Sequence, residues 1–131
     1  MAKLRHIAMS VSDPEKTADF YCKTFDMQVV GHTDSPLAAG VYLSDGTVSL
    51  ALLRYKADEW AGMDKDTQCI NHIGFWVNDL EAQQEEIIKN GGVFFRELPI
   101  EKESLYYELK FRDPNGVIFD ISHNGWVGAQ K

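Results

Sequence analysis

Apolar and polar positions alternate near the start of the chain. Ile7, Met9 and Val11 fall on one face of an extended segment and His6, Ala8 and Ser10 on the other. Ile73, Phe75 and Val77 oppose His72, Gly74 and Trp76 in the same way. Each predicted strand runs into helical spacing. Asp13 caps a helix that starts at Pro14 and carries Ala18, Tyr21, Cys22 and Phe25 on its apolar side. Asn78 or Asp79 caps a second helix with Leu80, Ile87 and Ile88 as its stripe and Asn90-Gly91-Gly92 as its stop. Strands are then expected near Gln28 to His32, Ala39 to Leu43 and Thr47 to Leu53, the last two joined by the Asp45-Gly46 hairpin signal. Later strands are expected near Val93 to Glu97, Leu105 to Arg112 and Val117 to Ser122, with Asp113-Pro114-Asn115-Gly116 as a turn.

These elements repeat. His6 to Glu15 matches His72 to Glu81 at an offset of 66 residues, with five of ten positions identical. Each half reads strand, helix, strand, strand, strand. The expected fold is therefore α+β, two βαβββ modules related by pseudo-twofold symmetry, with a curved mixed sheet enclosing a cleft. The first module spans 1–56, a linker 57–68 and the second module 69–131. Each module needs a partner for its apolar face and strand edges, and the other copy is the obvious one.

Composition narrows the function. A 131-residue chain with 44% hydrophobic residues has the material for one packed domain without staples. A net charge of −7 with scattered basic residues argues against nucleic acid. No apolar run is long enough for a membrane span, and the expectation is a soluble, cytoplasmic protein. Cys22 and Cys69, lacking metal-ligand spacing, read as small buried hydrophobes of a reducing compartment.

Candidate chemistry follows from the faces. His6 and His72 project from equivalent strands on the side away from the helices, so pseudo-twofold pairing brings them together. On the last strand Ile118, Asp120 and Ser122 share the cleft side, which aims a carboxylate at both imidazoles. His6, His72 and Asp120 form the ligand set of a facial triad, which leaves coordination positions open for substrate. Tyr106, Glu108 and Lys110 share the cleft face of the preceding strand, with Glu108 as a candidate general base and Lys110 as a candidate oxyanion stabiliser. A plain cross-strand ion pair is the simpler account of those two. Trp76, beyond His72, is a candidate platform for a planar substrate together with Tyr106. His32 and His123 are read as lying outside the site. Tyr55, Trp60 and Trp126 lie in segments able to cover the pocket.

The paired βαβββ layout resembles the vicinal-oxygen-chelate superfamily of glyoxalase I, extradiol dioxygenases, epimerases and bleomycin-binding proteins. So do the histidine strand running into Val11-Ser12-Asp13-Pro14-Glu15-Lys16 and Phe20-Tyr21, and the Asp113-Pro114-Asn115-Gly116 turn four residues before Asp120. The resemblance implies metal ligation by His6, His72 and Asp120, the last replacing a glutamate one methylene longer. It implies Fe(II) first, with Mn(II), Ni(II) or Zn(II) as alternatives. The fourth ligand of a glyoxalase I falls at Ser49, Leu50 or Ala51, none of them a carboxylate, so a lyase or isomerase of that kind is the lesser alternative. The three-ligand pattern is closest to extradiol dioxygenases, although Lys110 stands where those enzymes usually carry a tyrosine. A metal-free binding protein that sequesters a small planar molecule is the other alternative. A small-molecule substrate and a homodimer are the expected partners, with the modules pairing within a chain or across two.

Overall fold

The computed structural model describes all of residues 1–131. Its elements are β1 (Lys3–Ser10), α1 (Pro14–Phe25), β2 (Gln28–Asp34), β3 (Ala38–Ser44), β4 (Ser49–Tyr55), α2 (Asp58–Ala61), β5 (Cys69–Trp76), α3 (Leu80–Lys89), β6 (Val93–Glu97), β7 (Leu109–Arg112) and β8 (Ile118–Ser122). The strands form one eight-stranded sheet in the order β2-β3-β4-β1-β5-β8-β7-β6. In both halves the first strand pairs in parallel with the last, β1 with β4 and β5 with β8. The halves meet where β1 and β5 run antiparallel, placing His6 opposite Gly74 and Ala8 opposite His72. The two modules therefore pair within one chain, and both histidine strands lie at the centre of the sheet.

Local chemistry explains the element ends. Asp13 accepts a hydrogen bond from the Lys16 amide at 3.0 Å, and Asp79 accepts one from Ala82 at 3.1 Å, so Asp79 rather than Asn78 is the second cap. In the hairpin between β3 and β4, Asp45 accepts from the amides of Thr47 and Val48 at 2.8 Å each. Asp113 does the same for Asn115 and Val117 before β8. Gly46 and Gly116, with φ of 95° and 87°, supply the left-handed residues of these two turns.

The helices cover one face of the sheet. Ala18 of α1 packs with Val11, Val41, Leu43 and Leu52, and Leu80 and Ile87 of α3 pack on Val77, Tyr107, Leu109, Phe111 and Ile121. A third cluster of Ala8, Ala38, Ala51, Leu53, Tyr55 and Ala61 belongs to the opposite, concave face.

Three expectations need correction. Phe25 is 64% exposed and Ile88 is 50% exposed, because each sits at the solvent margin of its helix. Cys22 and Cys69 are half-buried rather than core residues, the first at the edge of the α1 cluster and the second at the start of β5. Strand β7 begins at Leu109 rather than Leu105, since the Tyr107 amide closes a turn onto the Ser104 carbonyl. The 57–68 segment contains α2, whose Ala61 packs into the concave cluster with Trp60 against it. No helix is long and apolar enough to cross a membrane.

Candidate functional site

The concave face holds a cavity of about 440 Å³ whose lining includes His6, His72, Glu108 and Lys110. Tyr42, Tyr55, Tyr106 and Trp60 form its aromatic walls, and Leu98, Pro99 and Ile100, from the segment between β6 and β7, close over it. Tyr42 and Tyr106 lie against each other with ring centroids 5.6 Å apart. Asp120 is fully buried just behind the lining.

His6, His72 and Asp120 come together as their strand positions imply, with one ligand atom from each within 4.8 Å of the others and all three residues buried. The His6 and His72 rings are 5.3 Å apart. His72 is the most constrained. Its Nδ1 lies 2.7 Å from Asn71 Oδ1, and Asn71 Nδ2 donates to the Ala61 carbonyl at 3.0 Å, which turns the amide oxygen toward the ring. Tyr55 donates to the same oxygen at 3.3 Å. Nδ1 must therefore carry the proton, leaving Nε2 as a bare lone pair in the neutral ring. Nε2 faces Asp120 Oδ2 at 2.9 Å.

At that distance the two atoms can share a proton or a metal ion. A second proton is disfavoured, because burial first and Lys110 second hold the His72 pKa well below the ordinary histidine value. The spacing also suits a metal ion, since bonds of about 2.0–2.2 Å place neighbouring ligand atoms roughly 3 Å apart at right angles. His6 adds a second signal. Its Nδ1 is buried with no partner, and its pKa is lowered to about 3, chiefly by burial, with Glu108 opposing and His72 and Lys110 adding. Two neutral imidazoles and a carboxylate fit a divalent ion in their donor chemistry.

A charged pair sits beside them. Lys110 Nζ donates to Asp120 Oδ1 and Oδ2 at 2.8 and 2.9 Å and to Glu108 Oε2 at 3.3 Å. Burial works against this ammonium, but Asp120 and Glu108 outweigh it and raise its pKa above the lysine range. Burial and then the Asp120 charge push the Glu108 carboxyl up, with Lys110 and His6 opposing. Two carboxylates against one ammonium leave the floor net negative, and receptive to a further cation.

Two residues enter the site beyond the roles the sequence suggests: Trp126, expected only to cover the pocket, and Asn71, not expected at all. Trp126 stacks on His6 with centroids 4.9 Å apart and planes 7° from parallel, and its Nε1 donates to Glu108 Oε1 at 2.6 Å. Gly74, opposite His6, makes room for it: a Cβ there would stand 2.7 Å from the indole. Asn71 is the other, and its neighbour in sequence, His72, was its only signal. Tyr106 lines the cavity as placed, whereas Trp76 does not. The Trp76 indole donates to the His123 carbonyl at 3.0 Å under Lys3, at the far end of β5. His32 lies at the surface beside Glu15. Ser49, the register partner of His6, is fully buried with its hydroxyl unpartnered.

Residues 3–121 match the Glyoxalase/Bleomycin resistance protein/Dioxygenase superfamily. The chain belongs to that superfamily. By sequence, no curated protein matches it. Among solved structures it is similar to hypothetical protein BH1468 from Bacillus halodurans C-125, at 22% identity over 92% of each chain with a TM-score of 0.75. It is also similar to a methylmalonyl-CoA epimerase bound to methylmalonyl-CoA and NH4+, at 18% identity over 92% of this chain and 93% of that one, with a TM-score of 0.73. A variant of the Streptomyces coelicolor methylmalonyl-CoA epimerase bound to 2-nitronate-propionyl-CoA matches at 19% identity over 91% and 92%, with a TM-score of 0.74. At these identities the likeness establishes the fold, and members of the superfamily include metal-dependent enzymes.

Proposed function

We propose that this protein is a metal-dependent enzyme that takes a small substrate through two neighbouring oxygens, with extradiol-type dioxygenation at Fe(II) as the reaction to test first. The observation that carries the reading is the buried His72 Nε2 facing Asp120 Oδ2 at 2.9 Å while Asn71 holds the proton on Nδ1. His6, His72 and Asp120 would hold the ion. Held by these three residues, Fe(II) would supply Lewis-acid and redox chemistry, and Mn(II), Ni(II) or Zn(II) would supply Lewis-acid chemistry.

The chain's own groups do the rest. Glu108, with its raised pKa, takes a proton from a substrate hydroxyl or from a carbon next to a carbonyl. Lys110 lies within the same floor as a positive charge for an oxygen that gains negative charge. Tyr42, Tyr106 and Trp60 flank a planar substrate, and Leu98 to Ile100 shield it from water.

The walls favour a compact, weakly charged molecule over a phosphorylated carrier such as a coenzyme A ester. Lys110 is the only lysine or arginine of the lining, and it is already held by two carboxylates. Glu97, Glu101 and Glu103 stand on the closing segment with one lysine, Lys102.

The test is metal content of protein purified without chelators, for the parent, His72→Ala and Asp120→Ala. Stoichiometric metal in the parent, lost from both variants, is expected. Oxygen uptake with diphenols then identifies the dioxygenase, and deuterium exchange without oxygen uptake identifies an epimerase-like proton transfer. The Lys110–Asp120 pair favours one other reading, a metal-free binding protein, because it balances the carboxylate without an ion. A parent that takes up no Fe(II), Mn(II), Ni(II) or Zn(II) under anaerobic conditions establishes that one instead.

A further inference from the structure

Resting on the reading of His6, His72 and Asp120 as a metal site, we propose that Lys110 is a resident counter-cation of that site. Its ammonium holds the Asp120 carboxylate when no ion is bound and passes to Glu108 when one is.

Register places the two groups face to face. Lys110 on β7 pairs with Asp120 on β8, and Nζ touches both carboxylate oxygens. A divalent ion drawing on Asp120 and the ammonium cannot both occupy that fork, because like charges repel strongly where water is excluded. Glu108 offers the ammonium a second seat. Its Oε2 is already 3.3 Å from Nζ, a longer contact than either to Asp120, and its Oε1 is fastened by the Trp126 indole at 2.6 Å, which keeps Oε2 turned to the lysine. The lysine stem is flexible at four carbons, so the transfer requires side-chain rotation and no strand movement. The ammonium stays charged throughout.

The charge balance explains why the device is needed. Two buried carboxylates without a cation would repel each other at the centre of the sheet, and the protein would be unstable before it acquired an ion. With Lys110 present the ion-free floor carries one excess negative charge instead of two, and metal binding must displace a buried ion pair. Metal affinity is therefore set by Lys110 and Glu108 as well as by the ligands.

The experiment measures Zn(II) and Mn(II) affinity by competition with a chromogenic chelator, and thermal unfolding of the ion-free protein. The proteins are the parent, Lys110→Met, Glu108→Gln and the double variant. Lys110→Met should bind metal roughly 10–100-fold more tightly than the parent and unfold more easily without it. Glu108→Gln should bind metal more weakly, and that loss should largely disappear in the Lys110→Met background, where there is no ammonium to receive. Should Lys110→Met not fold, Lys110→Gln keeps a hydrogen-bonding group and the same expected direction.

A folded Lys110→Met or Lys110→Gln that binds metal no more tightly than the parent overturns the proposal, as does a Glu108→Gln loss of equal size in both backgrounds. A parent that binds no metal while Lys110→Met does supports the counter-cation and goes against the metal-dependent reading of the native protein. If neither the parent nor any variant binds metal, both ideas fall.

Discussion

At the scale of single residues, the chemistry rests on how each polar group beneath the cavity is partnered. Asn71 is not itself part of the cavity lining, yet it decides the tautomer of His72. Asn71→Leu leaves His72 Nδ1 and the Ala61 carbonyl without partners, and should cost about 1–3 kcal/mol in urea unfolding. It should also weaken metal binding roughly 10–100-fold. Nitrogen-15 shifts of the His72 ring should move from the Nδ1–H form toward a mixture; an unchanged ring would separate the stability effect from tautomer control. The two buried histidines also set the acid limb of stability. Their pKa values lie below the ordinary 6.5, His6 at about 3, so between that value and 6.5 the unfolded chain binds protons that the folded one refuses. Stability should fall as pH drops below about 6.5, by up to about 1.4 kcal/mol per unit for each histidine. Glu108 acts in the opposite sense: its raised pKa stabilises the fold below the ordinary carboxyl value, and that contribution is lost as pH rises through the folded pKa. Thermal unfolding of chelator-treated protein at pH 7, 6 and 5 checks the sum, and a slope that flattens in His6→Asn assigns the His6 share.

At the scale of elements, strands β1 and β5 gain their role from being neighbours. His6 faces Gly74 across the antiparallel pair, and Trp126, arriving from the tail, fills the space over both. Gly125, at φ 85°, and its amide bond to Ser122 Oγ at 3.1 Å turn the tail back onto the sheet. Gly74→Ala introduces a Cβ 2.7 Å from the Trp126 ring and 2.9 Å from His6 Cβ, so one of them must move. The expected cost is about 1–3 kcal/mol, with a red-shifted Trp126 emission as the indole loses its stack. An unchanged emission spectrum in a destabilised variant would place the strain on His6 instead. The repeat makes this substitution informative, because Ala8 occupies the equivalent position in β1 and there packs in the concave cluster.

At the scale of the molecule, the sheet is one continuous surface with its chemistry in the middle and apolar side chains left over outside. Phe20 is 56% exposed and Phe25 64% exposed, and both rings lie against Tyr21 on α1, with centroids 5.1 and 6.1 Å away. Adjoining exposed aromatic rings are a candidate association surface, which we propose serves a homodimer. Sedimentation velocity should show a homodimer, and the double substitution Phe20→Ser, Phe25→Ser should shift it to monomer without loss of metal binding. A monomer at every concentration would set the homodimer aside.

Much of this was legible in the chain. The 66-residue repeat, the alternation around His6 and His72, the two aspartate caps and the aspartate-centred turns each follow from local geometry, and local geometry is written in local sequence. Those features determined the superfamily, the module layout and the shared face of His6, His72, Asp120, Glu108 and Lys110. Other features depend on which segments meet. Trp76 belongs by alternation to the face of His72, but the strand end carries it out of the cavity to the His123 carbonyl. Trp126 sits in a tail with no periodic signal and reaches His6 only because Gly74 leaves a space across the pair. The sequence by itself therefore fixed which residues share a face, since a strand's period of two is a property of its own backbone. The tertiary structure alone decided that Lys110 holds Asp120, that Asn71 sets the His72 proton and that the two modules pair within one chain. Each of those depends on contacts between separate elements, Asn71 being turned by the Ala61 carbonyl of α2, and no single element's pattern contains them.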